Sequence, residues 1–242
     1  MNVSCVICAY NEAPRIGAVL NIVSKHPLIS EVIVVDDGST DGTGDTVKQY
    51  PNVRLISYTP NKGKSNAFVE GVTAARHPIL LLLDADLIGL QNKDITLLLE
   101  PVFDGKVDVC ISLRSNSLLV YKLMGIDFVS GDRAVSRDFI LRYIDEYKLL
   151  PGFGLEFFMN ECIREEKLRT RIIKWHGVAH ARKAEKMNSR WHGQLAELKM
   201  LGEIRKVASF WKIVRQHHYF ISFNRSEKRR LRKKASAERS RE

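Results

Sequence analysis

No apolar run in the 242-residue chain reaches the ~18 residues that a membrane-spanning helix requires. Cysteine is sparse: Cys5, Cys8, Cys110 and Cys162 are the only four, and Cys5 and Cys8 stand at C-x-x-C spacing without a second pair to complete a metal site. This excludes a disulfide-stapled miniprotein and reads as core thiols in a reducing compartment. Internal repeats and low-complexity linkers are also missing. The chain opens directly on a strand pattern instead of a basic stretch followed by an apolar segment, so the expectation is a cytoplasmic protein without a leader. With 45% hydrophobic and 27% charged residues, there is enough apolar material to bury a core as one α/β domain or two small ones.

A shortage of acidic residues is confined to one end. The formal net charge is +10, but residues 1–205 hold 26 basic against 25 acidic side chains, whereas residues 206–242 hold 12 against 3. The body is therefore nearly neutral and offers no electrostatic argument for a nucleic-acid partner.

The first hundred residues alternate short β-branched runs with helical patterns, the mark of a parallel sheet covered on both faces. Val3–Ala9, Glu31–Val35, Val53–Tyr58 and Ile79–Leu83 are expected as strands, with Pro14–Lys25, Thr43–Tyr50 and Lys64–Ala75 as the helices between them. A helix from about Asp94 to Phe103 should lead to a strand over Val107–Leu113. Further on, Phe139–Tyr147 and Leu155–Glu166 read as helices, and Arg169–Trp175 as a strand followed by the loop His176–Lys183.

Polar clusters fall where those strands end: Ala9-Tyr10-Asn11-Glu12, Asp36-Asp37-Gly38-Ser39, Asn61-Lys62-Gly63-Lys64 and Asp84-Ala85-Asp86. Any one of them could be an ordinary polar loop or a helix cap. Right-handed crossovers bring all four to one sheet edge, however, which is where open α/β sheets bind ligands. If Asp84 and Asp86 continue the extended strand, both carboxylates point into one cleft. Two like charges so close call for a cation, and hard oxygen ligands suit Mg²⁺ or Mn²⁺ carrying phosphate oxygens.

Together these clusters resemble the family-2 glycosyltransferases, nucleotide-sugar transferases of the GT-A fold. The match is carried by Ile7-Cys8-Ala9-Tyr10-Asn11-Glu12, Val35-Asp36-Asp37-Gly38-Ser39-Thr40-Asp41, Asn61-Lys62-Gly63-Lys64-Ser65-Asn66-Ala67 and Asp84-Ala85-Asp86, in that order over residues 1–90. The resemblance implies a mostly parallel central sheet with helices on both faces and a nucleoside-diphosphate sugar, of UDP or GDP, as donor. It implies that Ala9, Tyr10, Glu12 and Asp37 line the nucleoside site, with Lys64, Asp84 and Ala85 completing it, and that Asp86 holds the Mg²⁺ or Mn²⁺ bridging the diphosphate. More weakly, to about residue 183, Ser130–Arg137 is similar to the family's glycine-led acceptor segment, which makes Asp132 a catalytic candidate. Pro151-Gly152-Phe153-Gly154-Leu155-Glu156 is similar to the segment delivering the general base of inverting members, and Gly177-Val178-Ala179-His180 to the loop whose histidine completes some GT-A metal sites.

Two departures stand out: Cys8 occupies a position where proline is common, and Glu156 is followed by Phe157 instead of a second acid. The latter leaves open whether Glu156 is a base, as in inverting members, or a sugar and acceptor contact, as in retaining ones; inversion is the commoner outcome in the family. An ionised phosphate acceptor would need no strong base.

The expected organisation is a catalytic domain over 1–188, divided into a nucleotide-sugar half (1–90) and an acceptor half (91–188), and a helical extension with a basic tail over 189–242. In that extension Phe210, Trp211, Ile213, Val214, Tyr219, Phe220, Ile221 and Phe223 interleave with basic residues ahead of the stretch Arg225–Lys234. Such a pattern suits a helix lying on an anionic leaflet, which would place the protein at the inner face of the plasma membrane and favour a polyprenyl phosphate or other lipid-linked acceptor. A packing helix with a solvated tail fits the same pattern. Competing functions are a retaining transferase with a small soluble acceptor, a nucleotidyltransferase, disfavoured because Tyr10-Asn11-Glu12-Ala13-Pro14 is no glycine-rich basic loop, and a non-catalytic membrane or RNA-binding module.

Overall fold

The computed structural model describes residues 2–117, 121–122, 125–150, 154–181, 215–216 and 218–222. Seven strands form one sheet in the order β3-β2-β1-β4-β7-β6-β8. These are β1 (Val3–Ala9), β2 (Glu31–Asp36), β3 (Val53–Ser57), β4 (Ile79–Asp84), β6 (Val109–Leu113), β7 (Arg133–Ser136) and β8 (Thr170–Lys174). All run parallel except β7, which pairs antiparallel with both β4 and β6. A small second sheet joins β5 (Leu87–Ile88) to β9 (Ala179–His180). The mostly parallel α/β architecture expected from the sequence is the one observed.

Strand periodicity divides the core into two layers. On one face Val6, Ile33, Val35, Leu80, Leu82, Val109 and Ile111 pack against α3 (Lys64–Ala74), α5 (Arg137–Leu141), α6 (Ile144–Lys148) and α7 (Gly154–Glu165). On the other, Cys5, Ile7, Val32, Val34, Leu81, Leu83 and Cys110 pack against α1 (Ala13–Val23), α2 (Thr43–Lys48) and α4 (Asn92–Phe103). All four cysteines are unpaired by disulfides, as expected of core thiols.

Three expectations change. Arg133–Ser136, placed within the acceptor-like segment Ser130–Arg137 without an assigned element, is a central strand. Phe139–Tyr147 is not one helix: the chain leaves helical geometry at Arg142 and Tyr143, where the Tyr143 amide bonds to the Ile140 carbonyl at 3.1 Å, and α6 starts afresh. Of the aromatic residues assigned to a membrane-facing helix, Phe220 is instead buried, 2% exposed, in the core that holds Phe157 and Met159. Its burial against protein contributes roughly 1.5–3 kcal/mol and ties this part of the 189–242 extension to the body built on the central sheet. Phe210, Trp211, Ile213, Val214, Phe223 and Arg225–Lys234 lie outside the described residues. No helix among the described residues is long and apolar enough to cross a membrane.

Candidate active site

The first two strand-end loops are stitched together by short polar side chains. Asn11, at φ 55°, receives the Thr40 amide on Oδ1 at 2.9 Å and donates its own amide to Ser39 Oγ at 2.9 Å. Asp41 accepts from the Ala13 and Thr43 amides and from the Thr43 hydroxyl. Ala9 and Glu12 are buried beneath this seam, and Tyr10 stands half exposed at its rim. Asp37 is buried as well, and its two oxygens accept the Lys62 and Gly63 amides at 2.8 and 2.9 Å. The third loop is thereby fixed to the second. Gly38, at φ 76°, makes the close approach possible, since a Cβ there would come within 2.8 Å of the Asn61 nitrogen. The four residues assigned to the nucleoside site are thus neighbours on one edge.

Asp84 and Asp86 part company. The strand ends at Asp84, and Ala85 and Asp86 turn toward β5, so the two carboxylates do not share a face by strand alternation as expected. Asp84 turns toward two cations: Lys64 Nζ lies 3.2 Å from Oδ1 and Arg114 Nη1 2.9 Å from Oδ2. Burial opposes ionisation of Asp84, but Lys64 and Arg114 outweigh it and hold its carboxyl well below the usual carboxylate range. Gly131 makes room for it, because a Cβ there would meet Asp84 Oδ1 at 2.5 Å. Lys64 also reaches Glu156 Oε1 at 2.6 Å. Burial works against the ammonium charge, yet Asp84 and Glu156 together push the Lys64 pKa upward. Lys64, Asp84 and Glu156 line one recess with Arg133 and the apolar Val6, Phe68 and Leu155.

Asp86 meets His180 through the small sheet. Leu87 pairs with His180, and the Ala181 amide donates to the Asp86 carbonyl at 3.2 Å. Burial chiefly, with Arg114 adding, lowers the His180 pKa, while Asp86 and Asp84 partly offset it. The imidazole is therefore held neutral, and its buried Nδ1 has no hydrogen-bond partner in the described structure.

Asp132 is fully buried, 0% exposed, behind Asp84. It accepts the Asp84 amide at 3.1 Å and the Ser112 hydroxyl at 3.1 Å, with Arg114 Nη1 at 3.4 Å. The structure thus places this catalytic candidate as a support for Asp84. Burial raises its pKa to about 7, with Arg114 opposing and Asp84 adding to the rise. A native carboxyl that binds its proton more tightly than the unfolded chain stabilises most below the unfolded pKa of 3.8, and that contribution is lost as pH climbs toward 7. Asp132→Asn keeps an acceptor for the Asp84 amide without the titration. The melting temperature of this variant relative to wild type is expected to rise by several degrees between pH 5 and pH 8, measured by calorimetry at each pH.

Four residues that the sequence did not assign to the site also border it: Arg114, Asp127, Arg133 and Cys8. Arg114, 5% exposed just beyond β6, faces Asp84, Asp132 and, at 3.6 Å, Asp127. Asp127 also takes the Ser117 hydroxyl at 2.6 Å. Arg133, fully buried, donates to the Ser130 carbonyl and, at 2.8 Å, to Asn160 Oδ1 on α7. Cys8, in the position where the family commonly has proline, lines the recess beside Lys64; burial pushes its thiol up to about 12, so it is no nucleophile at neutral pH.

The model of the family described as glycosyl transferase family 2 matches residues 4–147, more than half of the chain. The chain belongs to that family. It is 34% identical over 176 residues to a dolichyl-phosphate beta-glucosyltransferase of Dictyostelium discoideum, covering 66% of this chain and 49% of that protein. It is 25% identical over 135 residues to a poly-beta-1,6-N-acetyl-D-glucosamine synthase of Staphylococcus aureus, covering 53% and 33%. This family-2 chain thus spans half or less of the length of these relatives. Among solved structures it superimposes on glucosyl-3-phosphoglycerate synthase of Mycobacterium tuberculosis in complex with Mn²⁺, UDP-glucose and phosphoglyceric acid. The TM-score is 0.63 at 22% identity, over 77% of this chain and 74% of that one. The likeness supports the GT-A fold for this glycosyltransferase. Glu156 and His180 lie beyond the stretch that the family model matches.

Proposed function

We propose that this family-2 glycosyltransferase moves a hexose, glucose first among candidates, from a UDP-sugar to the phosphate of a lipid-linked acceptor of the polyprenyl-phosphate type, using Mg²⁺ or Mn²⁺. The observation that carries the reading is the cluster at the sheet edge, where Asp84 is locked between Lys64 and Arg114 while Asp86 stands beside a neutral His180. Ala9, Tyr10, Glu12 and Asp37 would receive the nucleoside in the stitched loops next to it.

The residues present fit a divalent cation. Asp86 offers hard oxygens, and His180 offers a buried imidazole nitrogen without a hydrogen-bond partner and a pKa held down by its surroundings. No group of three such side chains among the described residues could hold an ion unaided, so the donor's diphosphate oxygens would have to complete the shell. When bound, the ion supplies Lewis acidity against the negative charge that grows on the departing diphosphate. Lys64 adds a fixed positive charge at the same edge, and Asp37 holds the loop that presents it. Glu156 is held at the recess by Lys64, 2.6 Å from its Oε1. An acceptor whose attacking oxygen is already ionised needs no strong base, which leaves Glu156 to orient sugar or acceptor. The dolichyl phosphate in the name of one relative supports a lipid phosphate.

The test is a thermal-shift and transfer assay on the whole chain. UDP-glucose is expected to raise the melting temperature only with Mn²⁺ or Mg²⁺, because a ligand confined to the native state stabilises by mass action. Radiolabel from UDP-glucose should then pass to a short-chain polyprenyl phosphate. No shift with UDP, GDP or any of their sugars, and no transfer, would overturn the reading.

A further inference from the structure

Glu156 sits in the first turn of α7, and the same helix is also held by a segment that lies about sixty residues further along the chain. Gln216 is buried; its Nε2 donates to the Phe157 carbonyl at 3.3 Å and to Glu161 Oε2 at 2.9 Å. Tyr219 donates its hydroxyl to the Leu168 carbonyl at 2.7 Å, just past the end of α7, and Phe220 is buried in the core that holds Phe157, Met159 and Ile163. The segment therefore grips the helix at both ends. One grip falls on the residue directly after Glu156.

We propose that Gln216 is a positioning residue for the active site: it fixes the first turn of α7 and so holds Glu156 against Lys64. First turns are the weak part of a helix, because their amide groups lack partners within it and they open locally before the rest. Phe128 stacks on Phe157, Tyr143 and Tyr147 meet Phe158 edge-on, and further polar contacts constrain α7. Arg133 binds Asn160 one turn after Glu156, and Asn160 in turn donates to the Phe128 carbonyl at 3.0 Å. Lys64 binds Glu156 itself from the sheet side. Gln216 supplies a further constraint, and its bond to Glu161 spans more than a turn of the helix. A buried amide with two acceptors on one helix sets both the height and the rotation of that turn. Displacement of a substrate-facing group by about 1 Å costs on the order of a hundredfold in rate, so partial loosening should cost less but remain measurable. Both Glu156 and Gln216 lie outside the stretch that the family model matches, so this coupling belongs to the less general part of the chain.

The inference rests on the proposed function only where turnover is read. In the full-length chain, Gln216→Met is expected to lower kcat with UDP-glucose about tenfold, leave the donor KM within about twofold, and speed amide exchange in the peptide 154–161. Tyr219→Phe loses a bond at the far end of the helix and should leave turnover and that peptide within about twofold of wild type. In a Glu156→Gln background the effect of Gln216→Met on kcat should shrink to within about twofold, the non-additivity of two residues acting through one. Equal losses in both backgrounds, or unchanged exchange in 154–161, overturn the inference. If the wild-type chain moves nothing from UDP-glucose, it is the proposed function that fails. Exchange alone then decides this proposal: acceleration in 154–161 that is specific to Gln216→Met supports it, and its absence refutes it. Should Gln216→Met melt too low to handle, Gln216→Asn, which withdraws the amide from both oxygens, reads the same quantities.

Discussion

Arg114→Met is expected to cost about 3–5 kcal/mol of folding stability, a large share of the 5–15 kcal/mol typical of a domain. The guanidinium is 5% exposed and has Asp84 at 2.9 Å, Asp132 at 3.4 Å and Asp127 at 3.6 Å. Burial works against its charge, yet the three carboxylates, Asp132 foremost, push its pKa further up. Methionine fills much of the same space without charge, so Asp84 would keep Lys64 at 3.2 Å, whereas Asp132 and Asp127 would lose the guanidinium beside them. Buried carboxylates deprived of their partner take up protons instead of staying ionised. Their native pKa values then rise above the unfolded ones, and stability falls as pH rises. The deficit should therefore be larger at pH 8 than at pH 5.5, and urea denaturation at both pH values measures it. Arg114→Lys keeps the charge but not the planar fork that serves several carboxylates at once, so it should fall between the two. A loss below about 1 kcal/mol at pH 8 would mean that the cluster is balanced in some other way.

Why Arg114 went unseen in the sequence is physical. Its partners lie 30, 13 and 18 positions away, in a strand end and two loops, and contacts made by loops meeting across a sheet edge leave no spacing rule to follow. The parallel half of the sheet was legible for the opposite reason. Leu80–Leu83 and Val32–Val35 are buried on both faces, and such strands must be continuous apolar runs. The loops after them could be placed on one edge because right-handed crossovers allow no other arrangement. β7 breaks that logic: Arg133 enters a central strand fully buried, and its bonds to Ser130 and Asn160, with the charge of Glu156, offset the cost. A charged residue at the start of a four-residue strand reads as loop. Asp84 and Asp86 were expected to share one cleft as a pair, but strand alternation could not foresee that the chain turns at Ala85. Phe220 illustrates a different limit. An apolar stripe with basic neighbours serves equally well against lipid or against protein. Only the position of α7, itself fixed by residues far away in the chain, settles which surface that side chain meets.

Asp86→Ala should lower kcat by about 10³ while leaving the fold intact. Asp86 is half-buried in the turn after β4, and one contact of that turn with β9, the Ala181 amide on the Asp86 backbone carbonyl, survives the substitution. Stability should therefore change by less than about 1 kcal/mol. The His180 imidazole stays neutral without Asp86, because burial and Arg114 already lower its pKa and Asp86 opposes them. On the proposed function, the variant would lose a hard anionic ligand beside that imidazole, and with it the means of holding a divalent cation against the donor's diphosphate. Asp84→Asn is a poorer probe of the chemistry, since Asp84 neutralises Lys64 and Arg114 and its loss would disturb packing and catalysis together. Two measurements on Asp86→Ala distinguish the outcomes: initial rates of transfer from UDP-glucose, and the Mn²⁺-dependent rise in melting temperature with UDP-glucose. Loss of both with an unchanged melting temperature in the absence of ligand is the expected result. Retention of more than about a tenth of wild-type kcat would remove Asp86 from the cation site and pass that role to Asp84.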